Sequence, residues 1–197
     1  MKIAIMGGTF NPIHYAHLIS AEQVRNGLNY DKILFVPAAR PPHKSQPDMV
    51  SAEHRYKMVK LATAENPYFD VSRIELDRKG PSYTIQTIQE LRQTLKGITD
   101  LAWIIGADSL IEYKIWKDFD EVLRQSTLVV TTRPNYDLEQ VPLDIRNQIT
   151  IFRITGSDIS ATEIRDRIRK KLSVRYLVPD DVVNYINEHH LYLDHTR

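Results

Sequence analysis

The chain has 197 residues, 42% hydrophobic and 26% charged, an ordinary balance for a soluble globular protein with a sizeable core. Its formal net charge of +1 supplies no bulk field to recruit nucleic acid or anionic membrane, so any basic site has to be local. The absence of cysteine excludes disulfides, thiol nucleophiles and cysteine-ligated zinc. No run approaches the roughly 18 to 20 apolar residues that span a bilayer, and the expected compartment is the cytoplasm because the chain enters a strand at once.

Apolar runs and helical patterns alternate from the start. Lys2–Met6 reads as a buried strand, and the spacing that follows predicts a helix from about His14 to Gly27. Asp31–Val36 is a second strand ended by Pro37, followed by a loop holding Pro41, Pro42, His43 and Pro47. Ser51 is a suitable cap for a helix running to about Ala64, with His54 in its first turn. Phe69–Val71 begins a short strand, with Ile74–Leu76 as a candidate extension, and Tyr83–Leu95 is helical through Ile85, Ile88 and Leu91. Leu101–Ile105 is a fully apolar strand ending at Gly106. Two more strands, Thr127–Thr131 and Ile149–Ile154, and two more helices, Ala161–Leu172 and Asp180–His189, complete the chain.

Strands separated by helical crossovers imply an α/β fold, a Rossmann-like parallel sheet with helices on both faces. Such sheets bind ligands at the carboxyl ends of strands where the strand order reverses. With the order 3-2-1-4-5, the strands starting at Lys2 and Leu101 are neighbours at that reversal. The loops Gly7–Pro12 and Gly106–Leu110 would then face each other across one crevice. No repeat, low-complexity tract or linker divides the chain, so one domain is expected over 1–197, with a C-terminal helical part (about 160–190) packed on it.

The segment Gly7-Gly-Thr-Phe-Asn-Pro-Ile-His-Tyr-Ala-His17 sits where the first strand ends and the first helix begins. Glycines allow backbone N–H groups to approach an anion, and a helix N-terminus adds donors and a positive dipole end. His14 and His17, three residues apart, can reach the same phosphate chain. The segment matches neither Gly-x-x-x-x-Gly-Lys-Ser/Thr nor Gly-x-Gly-x-x-Gly, which disfavours a Walker ATPase and an ordinary dinucleotide oxidoreductase. A zinc site from His14, His17 and His43 ranks below the phosphate reading because no fixed carboxylate accompanies it. His189, His190 and His195, near a polar terminus, read as surface residues. Glu90, Arg92, Asp166 and Arg169 read as solvated charge on helical faces.

These residues resemble the Gly-x-Phe-Asp/Asn-Pro-x-His-x-Gly-His signature of the nucleotidyltransferase superfamily with the HIGH motif, with Ala16 where many members have glycine. A second signature of that superfamily, Ile-Ser-Ser/Thr-x-x-Ile/Val-Arg, is similar to Ile159-Ser-Ala-Thr-Glu-Ile-Arg165, with Ala161 in place of a frequent serine. Finer features resemble the bacterial nicotinate-nucleotide adenylyltransferase family over nearly the whole chain. They are Arg40-Pro-Pro-His-Lys44, Ser82-Tyr-Thr-Ile-Gln-Thr87, Gly106-Ala-Asp-Ser-Leu110, Trp116-Lys117, Arg133-Pro134 and Val174-Arg-Tyr-Leu-Val-Pro179.

The resemblance implies transfer of the AMP part of ATP to nicotinate mononucleotide, giving nicotinate adenine dinucleotide and pyrophosphate. It implies His17, His14 and Arg165 as catalytic residues. The ATP side would comprise Gly7, Gly8, Thr9, Phe10, Gly106, Asp108, Arg133, Ser160 and Thr162, with Asp108 on a ribose hydroxyl. The nicotinate nucleotide would meet His43, Lys44, Tyr83, Thr84, Trp116 and Lys117. Trp116 has core packing against Ile115 and Phe119 as its competing role. Mg²⁺ is the expected cofactor, held through ATP phosphates with no direct protein ligand. The expected partners are the two nucleotides, with no nucleic acid and no membrane, and a homodimer stays open. Alternatives are a nicotinamide mononucleotide or phosphopantetheine acceptor, a non-catalytic nucleotide sensor, and an RNA-binding relative of aminoacyl-tRNA synthetases. The last lacks a second lysine-serine loop and a basic surface balance.

Overall fold

In chain order the elements are β1 (Lys2–Gly8), α1 (Tyr15–Gly27), β2 (Lys32–Pro37), α2 (Ala52–Thr63), β3 (Phe69–Val71), α3 (Ile74–Asp77) and α4 (Thr84–Thr94). They continue with β4 (Asp100–Gly106), α5 (Ala107–Ile111), α6 (Phe119–Gln125), β5 (Thr127–Thr132), α7 (Leu143–Arg146), β6 (Thr150–Arg153), α8 (Ala161–Arg169) and α9 (Asp180–Glu188). This is a computed structural model, and it describes residues 1–42, 48–132, 138–156 and 158–193.

All six strands pair in parallel, in the order β3-β2-β1-β4-β5-β6. The expected neighbours therefore meet, with Lys2 opposite Asp100 and Met6 opposite Ile104. Alternate residues of one strand point to opposite faces, and the two apolar layers separate on that period. Ala4, Met6, Ile33, Phe35, Ala102, Ile104 and Val129 pack with Ala21 and Val24 of α1, Met58 and Val59 of α2, Ile164 of α8, and Val182 and Ile186 of α9. Ile3, Ile5, Leu101, Trp103, Ile105, Leu128 and Val130 pack with Ile85, Ile88 and Leu91 of α4, Leu110 of α5 and Val122 of α6. Both faces are covered, which is why the central strands read as unbroken apolar runs. The result is an α/β Rossmann-like fold.

Two expectations need correction. Ile74–Leu76 does not extend β3; Ile74–Asp77 forms the short helix α3. The Glu75 carboxyl is buried there and accepts from Thr87 Oγ1 at 2.6 Å, an attachment that alternation along a strand would not make. Between β4 and β5 the chain also folds α5, a 3-10 turn at Tyr113–Ile115, and α6, all too short to leave a helical period in the sequence. Among the described residues no helix is long and apolar enough to cross a membrane.

Candidate active site

β1 and β4 run side by side, yet the chain leaves them towards opposite edges of the sheet, and a crevice opens between their following loops. A cavity of about 750 Å³ lies there, lined by Gly7–Asn11, His14 and His17 on one side and Gly106–Ser109 and Trp116 on the other. Ser160, Thr162 and Arg165 from α8 and Tyr83 and Thr84 from α4 complete its wall.

The β1–α1 loop is tightly built. A Cβ on Gly7 would run into the Trp103 indole, and one on Gly8 would meet the Phe10 ring at 3.0 Å. Packing therefore demands glycine at position 7, while at position 8 a side chain would require the Phe10 ring to give by a few tenths of an ångström. Phe10 adopts a positive φ of 48° and is buried, and the Asn11–Pro12 peptide is cis. His14, expected to open the helix, is the N-cap of α1, one residue before its first helical residue Tyr15, and His17 lies in the first turn. The two imidazoles lie 3.8 Å apart between ring centroids at 31°, and Phe10 meets His17 edge-on at 5.1 Å. The His14 backbone N–H donates to His17 Nδ1 at 3.3 Å. An accepting Nδ1 is unprotonated, so neutral His17 carries its proton on Nε2 and presents it as a donor.

Arg165 is 5% exposed although it belongs to a polar-looking helix. Its Nη1 donates to the Asn11 carbonyl at 2.9 Å and its Nη2 to Thr162 Oγ1 at 3.4 Å, while Nε has no hydrogen-bond partner among the described residues. A buried guanidinium with spare donor capacity beside a cavity is suited to an anion. Ser160 caps α8, its Oγ accepting from the Glu163 N–H at 3.1 Å, which leaves the hydroxyl hydrogen available. Asp108 is exposed at the start of α5.

The opposite wall is looser. Trp116 is half-buried and edge-on to Phe119 at 6.1 Å, so it both packs and lines the cavity; Ile115, named as its core neighbour, is 50% exposed. Lys117 Nζ sits 4.7 Å from the Tyr83 ring centroid, joining the segment after α5 to the start of α4. His43, Lys44 and Arg133 lie outside the described residues, as does His195.

All four of the charges read as solvated have partners. Glu90 pairs with Arg78 at 3.0 Å, Arg92 Nε donates to the Gln125 carbonyl at 2.8 Å, and Arg169 joins Asp166 at 2.6 Å and also reaches Asp48. Asp166 is thus the fourth such charge in a pair. His189 and His190 are exposed, as expected, and the His189 ring lies 4.2 Å from that of Tyr185. Among the described residues no group of three His, Asp or Glu side chains is arranged to hold a metal ion.

Sequence reasoning missed Arg55, which is 1% exposed. It lies on one stripe of α2 with Met58, Val59 and Thr63, and a cation on an otherwise apolar stripe was the available signal. Asn11, which accepts from Tyr192 Oη at 3.0 Å, and the buried pair Glu75–Thr87 left no such mark.

The cytidylyltransferase-like family model matches residues 5–167. A Thermus thermophilus protein named "Probable nicotinate-nucleotide adenylyltransferase" is 45% identical over 192 residues, covering 98% of this chain and 100% of its own. One of the same name from Moorella thermoacetica is 42% identical over 198 residues, 97% of this chain and 91% of its own. Among solved structures, the Plasmodium falciparum nicotinic acid mononucleotide adenylyltransferase complexed with NaAD superposes with a TM-score of 0.79 over 97% of both chains. At 17% identity that likeness speaks for the fold alone. By its own sequence, over essentially its whole length, the chain belongs to the nicotinate-nucleotide adenylyltransferase family of cytidylyltransferase-like proteins.

Proposed function

We propose that the cavity joins ATP to nicotinate mononucleotide by direct adenylyl transfer, giving nicotinate adenine dinucleotide and pyrophosphate. The observation that carries this reading is the single crevice between the β1 and β4 loops, with imidazole and guanidinium donors on one wall and Trp116, Tyr83 and Thr84 on the other. The names of the relatives support the choice of acceptor.

An oxygen of the acceptor phosphate attacks the α-phosphorus of ATP in line. The bond from that phosphorus to the α–β bridging oxygen breaks, and its electron pair leaves with pyrophosphate. The attacking phosphate is already ionised at neutral pH, so no general base and no covalent intermediate are needed. Catalysis then consists of alignment and of donors that strengthen as charge develops. His17 donates from Nε2 to the α-phosphate; His14, Arg165 and the Ser160 hydroxyl, with Thr162 beside it, hold the β- and γ-phosphates. Backbone N–H groups of Gly7–Phe10 follow the phosphate chain, and Gly106 with Asp108 takes the adenosine ribose. Trp116 offers a face to the pyridine ring, while Thr84 and the Lys117 backbone N–H receive its carboxylate, the Trp116 N–H being taken by the Tyr113 carbonyl at 3.0 Å. When bound, Mg²⁺ would be carried on ATP rather than on a protein side chain and would supply charge neutralisation for the departing pyrophosphate. We place the reaction in the cytoplasm, the compartment the sequence leads us to expect.

Mixing the protein with ATP, Mg²⁺ and nicotinate mononucleotide should release pyrophosphate only when all three are present. Folded protein giving none would reject the reading, and faster turnover with nicotinamide mononucleotide would replace the acceptor.

A further inference from the structure

Arg55 has an unusual set of partners for a buried cation. Its Nε donates to the Val50 carbonyl at 3.1 Å, Nη1 to the carbonyls of Thr9 at 2.7 Å and Ala38 at 2.6 Å, and Nη2 to that of Ala39 at 3.2 Å. Among the described residues no carboxylate pairs with it, and burial pushes its pKa below the ordinary arginine value. Enclosing a guanidinium is costly unless its donors are met. Here they are met by three separate pieces of backbone: the loop after β1, the segment after β2, and the approach to α2.

Asn11 ties the same pieces independently. Its Nδ2 donates to the Asp48 carbonyl at 3.1 Å, and its Oδ1 accepts from the Val50 N–H at 3.3 Å and from Tyr192 Oη at 3.0 Å. Tyr192 is buried and comes from beyond α9, so the end of the described chain closes over this junction. The linkage continues to the far wall. Arg40 and Ser82 exchange hydrogen bonds, backbone N–H of Ser82 to Arg40 carbonyl at 3.0 Å and Arg40 N–H to Ser82 Oγ at 3.1 Å, directly before Tyr83 and Thr84. An unbroken path thus runs from Thr9 through Arg55, Ala39 and Arg40 to the start of α4.

We propose that Arg55, Asn11 and Tyr192 form a clamp that sets the distance between the phosphate wall and the acceptor wall, with Arg55 and Tyr192 as positioning residues for the transfer. This rests on the function proposed above. The reason such a clamp matters is geometric: each wall can hold its own nucleotide without the other, but in-line attack needs both at a fixed separation. Lysine cannot substitute for Arg55, because one ammonium cannot serve carbonyls spread around a planar fork.

The test uses Arg55→Lys and Tyr192→Phe in the full chain, with three readouts. Amide hydrogen exchange at Ala38 and Val50 should quicken by about tenfold in both variants, with the β4 amides unchanged as an internal standard. The single-turnover transfer rate should fall by about a hundredfold in Arg55→Lys and about tenfold in Tyr192→Phe. Dissociation constants for ATP alone and for nicotinate mononucleotide alone should stay within about threefold, since neither wall is itself dismantled. A purely structural role would lower the melting temperature and leave the transfer rate of folded protein intact, which would overturn the proposal. So would unchanged exchange, or nucleotide affinities falling in step with the rate. If Arg55→Lys fails to fold, Tyr192→Phe decides, because it removes one hydroxyl. Wild-type protein that never transfers would discard the functional reading, and the exchange measurement would still judge the clamp.

Discussion

The two walls of the cavity are built on different plans. On the phosphate wall Phe10, Asn11, His14 and Arg165 are 2–6% exposed; side chains from α2 and α8 fasten the loop by its backbone carbonyls, and Tyr192 after α9 holds the Asn11 side chain. On the acceptor wall Ile115 is 50% exposed, Lys117 is open to solvent, and Trp116 rests by one edge on Phe119. On the function proposed above, the contrast follows from the chemistry each wall would serve. Stabilising a transition-state charge requires donors that are already in place and do not reorganise. Recognising a flat ring requires surface and a few donors, which short helices supply at lower rigidity. Loss of a group on the first wall should therefore appear in turnover, and on the second in acceptor affinity.

His17→Ala is the severest test of that division. Removing the Nε2 donor should lower kcat by about a hundredfold or more with the fold retained, as read by initial rates beside far-ultraviolet circular dichroism. Near-normal turnover would take His17 out of the mechanism. Trp116→Ala should act on the other wall, raising the KM for nicotinate mononucleotide by about tenfold while kcat and the KM for ATP change less. An equal loss in kcat would erase the distinction between the walls.

These predictions rest on features of unequal visibility in the sequence. The sheet was legible because both faces are covered, so its strands are continuous apolar runs; the strand order leaves no mark in the sequence and comes from the pairing. The phosphate wall announced itself through Gly7–His17 and Ser160–Arg165, short segments in which local geometry and chemistry coincide. The clamp did not. Nothing near Asn11 or Tyr192 in the sequence points to their contacts, because their partners lie 37 to 181 residues away in the chain. α3, α5 and α6 were missed because four, five and seven residues hold too few turns to show a period.

Smaller effects sharpen the contrast. Ser160→Ala removes the cap of α8 and should destabilise the protein by about 1 kcal/mol in urea unfolding. It should also lower turnover, since Ser160 belongs to the phosphate wall; a change in stability alone would leave Ser160 as a cap only. Tyr30 provides a control away from both walls, near Asp100 at the amino ends of the strands. Burial first, and then Asp100, push its pKa up to about 12. The unfolded phenol ionises near pH 10, so the stability Tyr30 contributes is complete below about pH 10 and is lost as pH rises towards about 12. Tyr30→Phe should shallow that alkaline loss, with the share from buried Tyr192 remaining, and should leave turnover at neutral pH unchanged. Identical alkaline profiles for the two proteins would contradict the assignment.

The central claim, direct attack of the acceptor phosphate on the α-phosphorus of ATP, is tested most directly with nicotinate mononucleotide carrying ¹⁸O in its phosphate. Incubated with ATP and Mg²⁺, the protein should yield a dinucleotide retaining all of the label, with unlabelled pyrophosphate, by mass spectrometry. Label appearing in pyrophosphate, or no dinucleotide from folded protein, would contradict the account.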